Sequence, residues 1–260
     1  MTFSPGRADG ARREAVLEVS GLAYAYPDGR QALYGVDLRV DRGERVAMLG
    51  PNGAGKTTLV LHLNGIHTPG AGSVRVAGLP VAPEHLQEIR RRVGIVFQDP
   101  DDQLFMPTVR DDVAFGPANL GVRGAELEAR VQEALEAVGM TDVVDRPPHH
   151  LSFGQRRRVA VATVLAMRPD VLVLDEPSSN LDPASRRELA QVLDGLDITV
   201  LMVTHDLPYA LELCERSVIL SDGVIVADGP TAQVLADTEL MTAHRLELPF
   251  GFDPRTVRSG

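Results

Sequence analysis

The sequence has very little of several residue types, and each shortage excludes a class of protein. Among 260 residues there is one cysteine, Cys214, and no tryptophan. A single cysteine cannot close an internal disulfide, so we expect a reducing compartment and a small buried side chain at Cys214. Acidic residues outnumber basic ones by 36 to 26, which gives a net charge of −10 at pH 7. That balance argues against a surface that coats nucleic acid, so we expect no nucleic-acid partner.

Long apolar runs are also missing. No uninterrupted run approaches the ~18 residues that a helix needs to cross a bilayer. The first residues, MTFSPGRADGARREA, lack the apolar stretch of a signal peptide. We therefore expect no membrane span and no leader, and we predict that residues 1–14 form a flexible tail. If the protein works at a membrane, another chain must do the crossing.

Lysine is the scarcest charged residue, because Lys56 stands alone beside twenty-five arginines. It lies in GPNGAGKTT, which matches the phosphate-loop pattern G-x-x-x-x-G-K-[ST]. The loop's N–H groups and the start of the next helix would bind phosphates, and a compact ammonium reaches them where a planar guanidinium would crowd the loop. A chance glycine-rich turn is the alternative, but the predicted strand before it and helix after it favour the phosphate loop. The residues predicted to bind nucleotide here are Gly50, Pro51, Asn52, Gly53, Ala54, Gly55, Lys56, Thr57 and Thr58.

The periodicity along the chain predicts an α/β fold. RVAMLG is a short apolar strand that leads into the loop, and KTTLVLHLNGI has helical spacing up to Pro69-Gly70. DVLVLDE and ITVLMVTH are further apolar strands, separated by the predicted helix DPASRRELAQVLDGL. Such strands alternating with helices indicate a parallel sheet covered on both faces. Residues 107–150 have helical patterns without strands, which predicts an insertion into that core.

A pair of carboxylates ends one of these strands. Asp175 and Glu176 close VLVLDE, and a phosphate loop needs a carboxylate at the end of a buried strand. Asp175 would hold Mg²⁺ through water, and Glu176 would act as the base for an attacking water. An ordinary acidic turn after a strand is the alternative. Together with the phosphate loop, the pair predicts a nucleoside triphosphatase.

Further motifs resemble those of ABC-type ATPases, in the same order along the chain from about residue 17 to 230. The matching stretches are the signature LSFGQ (151–155), the D-loop SSNLD (178–182), VTHD with His205 as the switch histidine, VFQDP with Gln98, and Tyr26 as the adenine-stacking aromatic. The resemblance implies a P-loop NTPase core with a parallel sheet, an antiparallel β subdomain and an inserted α-helical subdomain. It would place the ATPase domain at 15–240, the helical insertion at about 100–165 and a C-terminal extension at 241–260.

The resemblance also implies roles for these residues. Glu176, His205 and Gln98 would be catalytic, and Thr57, Gln98 and Asp175 would contact Mg²⁺. Two protomers would sandwich two ATP molecules head to tail. Each signature would then face the γ-phosphate bound by the other chain, with Ser152, Gly154 and Gln155 as the residues concerned. Asp182 of the D-loop would also bind nucleotide.

The signature has a simpler interpretation, and it departs from the family pattern at one position. Ser152 and Gln155 have the spacing of a helix capping box, which needs no ligand. The same geometry also makes an anion site, since a helix start presents free amides and a hydroxyl. Phe153 occupies a position that is usually glycine, and this change bears on how closely a phosphate can approach.

Other candidates have structural alternatives. Tyr26 competes with an ordinary core role and with Tyr24 for the adenine-stacking position. His149 and His150 are interpreted as loop residues rather than metal ligands, because adjacent histidines on a strand point apart and a third ligand is missing. The run 156–158, three arginines, is interpreted as a solvated helix face.

Within the family, residues 96–121, the stretch from the signature through DEPSSNLDP, and residues 241–252 resemble the ATPases of energy-coupling-factor importers, especially the cobalt and nickel group. The resemblance implies a homodimer or a dimer with a homologue, an integral membrane subunit, a substrate-binding membrane subunit, and a place at the cytoplasmic face of the membrane. The acidic and apolar surface after Gln98, with Asp101, Asp102, Leu104 and Phe105, would receive a helix of the membrane subunit. A vitamin importer such as one for biotin, a non-transport ABC ATPase and a nucleotide-dependent regulatory module are the alternatives.

Overall fold

A computed structural model of the protein describes residues 14–255. The predicted tail, residues 1–14, lies outside the described residues except for Glu14. The strands are β1 Ala15–Ala25, β2 Gln31–Asp41, β3 Arg45–Leu49, β4 Ala71–Val76, β5 Leu79–Pro80, β6 Val93–Val96, β7 Val171–Asp175, β8 Thr199–Val203, β9 Arg216–Ser221 and β10 Val224–Pro230. The helices are α1 Lys56–Leu63, α2 Leu86–Arg92, α3 Val109–Asn119, α4 Gly124–Ala137, α5 Phe153–Leu165, α6 Pro183–Asp194, α7 Leu207–Leu213, α8 Thr231–Ala236 and α9 Thr238–Ala243.

The strands form two sheets. A four-stranded antiparallel sheet has the order β2-β1-β4-β5, and a six-stranded sheet has the order β10-β9-β3-β8-β7-β6. In the larger sheet β9, β3, β8, β7 and β6 are parallel, and β10 pairs antiparallel with β9 as a hairpin. Between β6 and β7 the described chain is helical, with α3, α4 and α5. The α/β fold with an antiparallel sheet and a helical insertion is confirmed.

Side chains that alternate along the central strands explain how both faces of the larger sheet are covered. Val46 and Met48 of β3 belong to an apolar cluster shared with the antiparallel sheet and α1, whereas Ala47 and Leu49 belong to a cluster shared with the helices. Neighbouring side chains on a strand point to opposite faces, so both faces of the sheet are buried. Cys214 lies in the helical cluster, and burial raises the pKa of its thiol to about 12. The prediction of a core cysteine is confirmed.

Some local predictions need correction. Helix α1 ends at Leu63 rather than near Pro69, because Gly65 has φ +70° and its N–H donates to the carbonyl of His62. His149 and His150 lie in the 3₁₀ turn Pro148–His150 before α5, in agreement with their interpretation as loop residues, and their ring centroids are 4.3 Å apart. The predicted boundary at residue 240 falls inside α9.

Two features are absent from residues 14–255. None of the helices there is both long enough and apolar enough to span a bilayer. In the same residues, no group of three or more histidine, cysteine, aspartate or glutamate side chains is arranged to hold a metal ion.

Candidate nucleotide site

The phosphate loop joins the carboxyl end of β3 to the start of α1. Gly50 has φ +151° and a Cβ there would come within 2.0 Å of the carbonyl oxygen of Leu220 on β9. Gly55 has φ +104°, and a Cβ there would come within 2.8 Å of the carbonyl oxygen of Ala32. Both positions therefore require glycine for the loop to fit between its neighbouring strands.

Lys56 is the first residue of α1 and is folded back over the loop. Its side chain is buried, and Nζ donates hydrogen bonds to the carbonyl oxygens of Gly50 at 2.6 Å and Pro51 at 3.0 Å. Burial lowers the pKa of Lys56, while the carboxylates of Glu176 and Asp175 act in the opposite direction. The Lys56 ammonium is thus held by backbone carbonyl groups at the N-terminus of α1. An anion there would meet both the ammonium charge and the N–H groups of the helix.

The two predicted carboxylates lie opposite the loop. Asp175 ends β7, and burial together with the charge of Glu176 raises its pKa, although Lys56 and Arg157 act to lower it. Glu176 has φ +46°, an uncommon conformation for a residue with a side chain. Its N–H donates to the carbonyl of Val203 on β8, and its carboxylate accepts from His205. The strand pairing thus fixes the direction of the Glu176 side chain.

A cavity of about 450 Å³ lies between the loop and these carboxylates. Thr57, Gln98 and Asp175 all line it. Hydroxyl, amide and carboxylate oxygens are the ligands Mg²⁺ takes, and Mg²⁺ usually has one or two protein ligands beside substrate phosphates. The residues present therefore fit a magnesium ion that arrives with a nucleotide. The predicted site residues that line the cavity are Tyr26, Asn52, Gly53, Ala54, Gly55, Lys56, Thr57, Thr58, Gln98, Asp175 and Glu176.

The geometry distinguishes the two tyrosines. Tyr26 lines the cavity, and its hydroxyl lies 2.8 Å from the Thr58 hydroxyl, where either can donate. Tyr24 is absent from the lining and stacks on His67 with ring centroids 4.9 Å apart. The guanidinium of Arg30 lies 4.9 Å from the centre of the Tyr26 ring. Of the two tyrosines, Tyr26 is therefore the one that lines the cavity.

Part of the cavity wall was missed at the sequence level. It comes from the start of β2 and from the turn between β9 and β10, and the residues are Arg30, Gln31, Ala32, Tyr34, Asp222 and Gly223. The N–H of Tyr34 donates to the carbonyl of Gly223 at 2.9 Å, which joins the two segments. The turn SDG signals a hairpin in the sequence, but no local pattern indicates that this hairpin meets β2.

The signature residues lie elsewhere on the molecule. Ser152 Oγ accepts from the N–H of Gln155 at 3.2 Å and Gln155 Oε1 accepts from the N–H of Ser152 at 2.9 Å, so the capping box is confirmed. Gly154 packs against α6, because a Cβ there would come within 2.5 Å of Ser185 Oγ. Asp182 caps α6 through the N–H groups of Ala184 and Ser185. The predicted residues absent from the cavity lining are Gly50, Pro51, Ser152, Gly154, Gln155, Asp182 and His205.

The prediction of a solvated arginine run is wrong for its central member. Arg157 is 0% exposed, whereas Arg156 and Arg158 are partly exposed and form ion pairs with Asp101 and Glu188. The guanidinium of Arg157 donates to backbone carbonyls of the segment that carries Gln98. The helical period turns every third or fourth residue of α5 inward, and the run of three arginines does not show which of them faces inward.

Comparison with known proteins places this geometry in a family. Residues 33–179 match the family described as ABC transporter. An ABC transporter ATP-binding protein of Streptomyces avermitilis is 78% identical over 94% of this chain and 93% of its own length. The energy-coupling factor transporter ATP-binding protein EcfA of Methanothermobacter thermautotrophicus is 49% identical over 90% of this chain and 77% of its own.

Solved structures agree. The structure of cbiO1 from Clostridium perfringens, described as part of the ABC transporter complex cbiONQ, has a TM-score of 0.81 at 39% identity and covers 91% of this chain and 97% of its own. The ATP-binding cassette MJ0796, solved as a dimer in a post-hydrolysis state with ADP and Pi, has a TM-score of 0.73 at 29% identity and covers 83% and 98%. The chain therefore belongs to the ABC transporter family, in which it is an ATP-binding and ATP-hydrolysing protein of the energy-coupling-factor type.

Proposed function

We propose that this chain powers the uptake of a transition-metal ion, cobalt or nickel, as the ATPase subunit of an energy-coupling-factor importer. The cargo would cross through other chains and would not touch this one. The resemblance of residues 96–121 and 241–252 to the cobalt and nickel group supports the cargo. The 39% identity to cbiO1, described as part of the ABC transporter complex cbiONQ, supports the role in a transporter. The chain would lie at the cytoplasmic face of the membrane, held there by an integral membrane subunit and a substrate-binding membrane subunit.

The observation that carries the mechanism is the separation of the site into two parts. The cavity holds Lys56, Asp175 and Glu176, whereas Ser152 is exposed to solvent and does not line it. A second chain, identical or homologous, would bring its own Ser152, Gly154, Gln155 and Asp182 to this cavity. The dimeric form of the similar cassette MJ0796 supports that arrangement. ATP would then be bound between the two chains, and hydrolysis would release them.

Inside the cavity each residue has a separate task. Lys56 and the loop amides, from Gly50 to Thr58, would hold the outer phosphates, and Tyr26 would stack on adenine. Glu176 would take a proton from the attacking water, because its carboxylate is fixed beside the cavity by β7 and β8. His205 would orient that water and the γ-phosphate. The magnesium ion would neutralise phosphate charge, with Thr57, Gln98 and Asp175 as the residues that hold it.

A second cavity, of about 250 Å³, is the proposed dock for the membrane subunit. It is lined by Phe97, Phe105 and Phe115, which are 39%, 64% and 42% exposed. Exposed aromatic side chains grouped in this way mark an interaction surface. The predicted surface needs one correction, because Leu104 is buried in the core.

Charge at this groove favours a basic partner. Asp112 and Arg90 both line it, and Oδ1 of Asp112 accepts from the N–H groups of Phe105 and Met106 at 3.0 Å. Within residues 14–255, the buried Oδ2 of Asp112 has no hydrogen-bond donor. Asp101 and Asp102 are exposed on the adjoining 3₁₀ turn, although Asp101 is paired with Arg156. A short helix with apolar residues and a basic side chain would fit both the aromatic walls and the unsatisfied carboxylate.

The cargo is tested by uptake into cells that make the complete transporter. We expect radioactive cobalt or nickel to accumulate with the native chain and to fall to background with Glu176→Gln. Glu215→Gln, an exposed carboxylate outside both cavities, is the matched control. Uptake of biotin, with no accumulation of either metal, would contradict the proposed cargo and leave the ATPase assignment standing.

A further inference from the structure

The most unusual buried group outside the nucleotide cavity is the side chain of Arg157. It is among the largest side chains that are fully buried in the described residues. Its guanidinium donates to the carbonyl oxygens of Phe97 at 2.8 Å, of Gln98, and of Ser179 at 3.4 Å. These acceptors belong to two different loops, one carrying Gln98 and the other the segment 178–182. A single planar group on α5 therefore joins three segments.

Removing the charged Arg157 guanidinium from water costs free energy. Burial lowers the pKa of Arg157, and the charges of Asp99, Asp175 and Tyr209 act in the opposite direction. Nε of Arg157 has no acceptor among the residues described. A buried charge of this kind is weak evidence for stability, and apolar residues of similar volume often serve a core better. What the guanidinium provides here is a fixed geometry, because its planar fork binds several oxygens at set angles.

The residue that departs from the family's signature pattern covers this group. The guanidinium of Arg157 lies 5.4 Å from the centre of the Phe153 ring, and that of Arg156 lies 5.7 Å from it. An aromatic face attracts a cation and also excludes water from it. Phe153 therefore has a partner within its own chain, which accounts for a large residue where glycine is usual.

We propose that Arg157, covered by Phe153, is a positioning residue that holds Gln98 in place for the reaction and couples it to the signature helix α5. The inference rests on the proposed role of Gln98 at the magnesium ion. Arg157 lies one turn into α5, and Ser152 at the start of that helix faces the proposed second nucleotide site. A shift of α5 on dimer closure would therefore move the backbone of Gln98 through Arg157. Arg157 acts through Gln98 and does not touch the nucleotide.

The test is a double-mutant cycle on ATP hydrolysis by the full chain. Arg157→Lys keeps the charge but loses the fork, so we expect kcat to fall about tenfold with little change in KM for ATP. The Mg²⁺ concentration needed for half-maximal rate should rise. In a Gln98→Ala background, the same substitution should cause no further loss of kcat, because the residue through which Arg157 acts is gone.

Two companion variants separate positioning from folding. Arg158→Gln lies one residue along the same helix, contacts Glu188 and the carbonyl of Val138, and should leave kcat within about twofold. Phe153→Leu keeps the guanidinium and removes the aromatic cover, so it should give a smaller loss that also disappears in the Gln98→Ala background. If Arg157→Lys fails to fold, the Phe153→Leu variant still tests the inference, because it leaves the guanidinium in place.

Equal losses in both backgrounds, or a loss in each variant that follows its thermal unfolding midpoint, would overturn the inference. The proposed function would stand in that case, since the native chain would still hydrolyse ATP. A native chain without ATPase activity would instead overturn the proposed function.

Discussion

Nδ1 of His205 lies 2.8 Å from Oε2 of Glu176, and the same oxygen accepts the backbone N–H of His205 at 3.2 Å. The carboxylate comes from the end of β7 and the histidine from the residues after β8, so the pairing of two adjacent parallel strands sets their distance. The Glu176 side chain is 12% exposed, whereas that of His205 is 68% exposed. The carboxylate proposed as the base is therefore fixed, and the His205 imidazole projects toward solvent, where a phosphate or a second chain can reach it.

Glu176→Gln should abolish turnover and preserve binding. The amide cannot accept a proton from water, so the rate should fall by about 100-fold or more. Its carbonyl oxygen can still accept the N–H of His205, so the fold should persist. The checks are steady-state ATP hydrolysis and calorimetric titration with ATP. Glu215→Gln should match the native chain in both, and a Glu176→Gln protein with the native rate would show that another group is the base.

Lys56→Arg should lose activity although the charge is retained. The side chain of Lys56 is 9% exposed and its ammonium fits between two carbonyl groups of the loop. A guanidinium is wider and planar, so we expect kcat/KM to fall at least about tenfold. Arg187→Lys, the reverse exchange at an exposed position of α6, should have no effect. An unchanged kcat/KM for Lys56→Arg would refute the argument from loop geometry.

Asp175→Asn should stabilise the nucleotide-free protein at neutral pH. The pKa of Asp175 is raised on folding, chiefly by burial and next by Glu176, so the folded state disfavours the charged form. The free-energy penalty for ionising Asp175 in the folded state is absent below the pKa of Asp175 in the unfolded state. It grows as the pH rises toward the pKa in the folded state and is complete above that pKa. We expect the midpoint of thermal unfolding at pH 7.5 to rise by about 2 °C or more, and the gain to shrink as the pH falls toward 4.

The same substitution should impair ATP hydrolysis, because the carboxylate that destabilises the empty site is the proposed magnesium residue. Asp142→Asn, at an exposed position, serves as the control for the change of charge. If Asp175→Asn lowered the unfolding midpoint at pH 7.5, the assigned direction of the pKa shift would be wrong.

Charge reversal beside the aromatic groove should weaken assembly with the membrane subunit. The double variant Asp101→Arg and Asp102→Arg removes the acidic rim, and Phe105→Ser removes the most exposed aromatic wall. Neither change lies in the nucleotide cavity, so ATP hydrolysis by the isolated chain should stay within about twofold. Co-purification with the membrane subunits measures assembly. Asp142→Arg with Asp145→Arg is the matched reversal at two exposed aspartates outside both cavities. Intact complexes from the first variants would argue against this dock.

Local patterns were enough for much of the site. The strand, glycine loop and helix around Lys56 are contiguous in the sequence, and so are the caps at Ser152 and Asp182. Each is specified by residues within a few positions of one another, so the sequence predicts them directly. Asp175 ends β7 and Gln98 follows β6, and the parallel pairing of these two strands brings both residues to one edge of the sheet.

Long-range packing accounts for what was missed. Tyr34 and Gly223 join the cavity wall because β2 meets the β9–β10 hairpin, a contact between segments far apart in the chain. Leu104 and Arg157 are buried because neighbouring elements cover them. The type of a residue alone does not show whether another element will cover it. The placement of Phe153 depends on that buried guanidinium, so its role was not visible before the fold was known.

The central claim is that a complete nucleotide site needs two chains, and sedimentation velocity of the Glu176→Gln variant with saturating ATP and Mg²⁺ tests it most directly. The account predicts a monomer without nucleotide and a dimer with it. It also predicts that adding Ser152→Arg returns the protein to a monomer while ATP still binds. A Glu176→Gln protein that binds ATP yet sediments as a monomer at every protein concentration would contradict the claim.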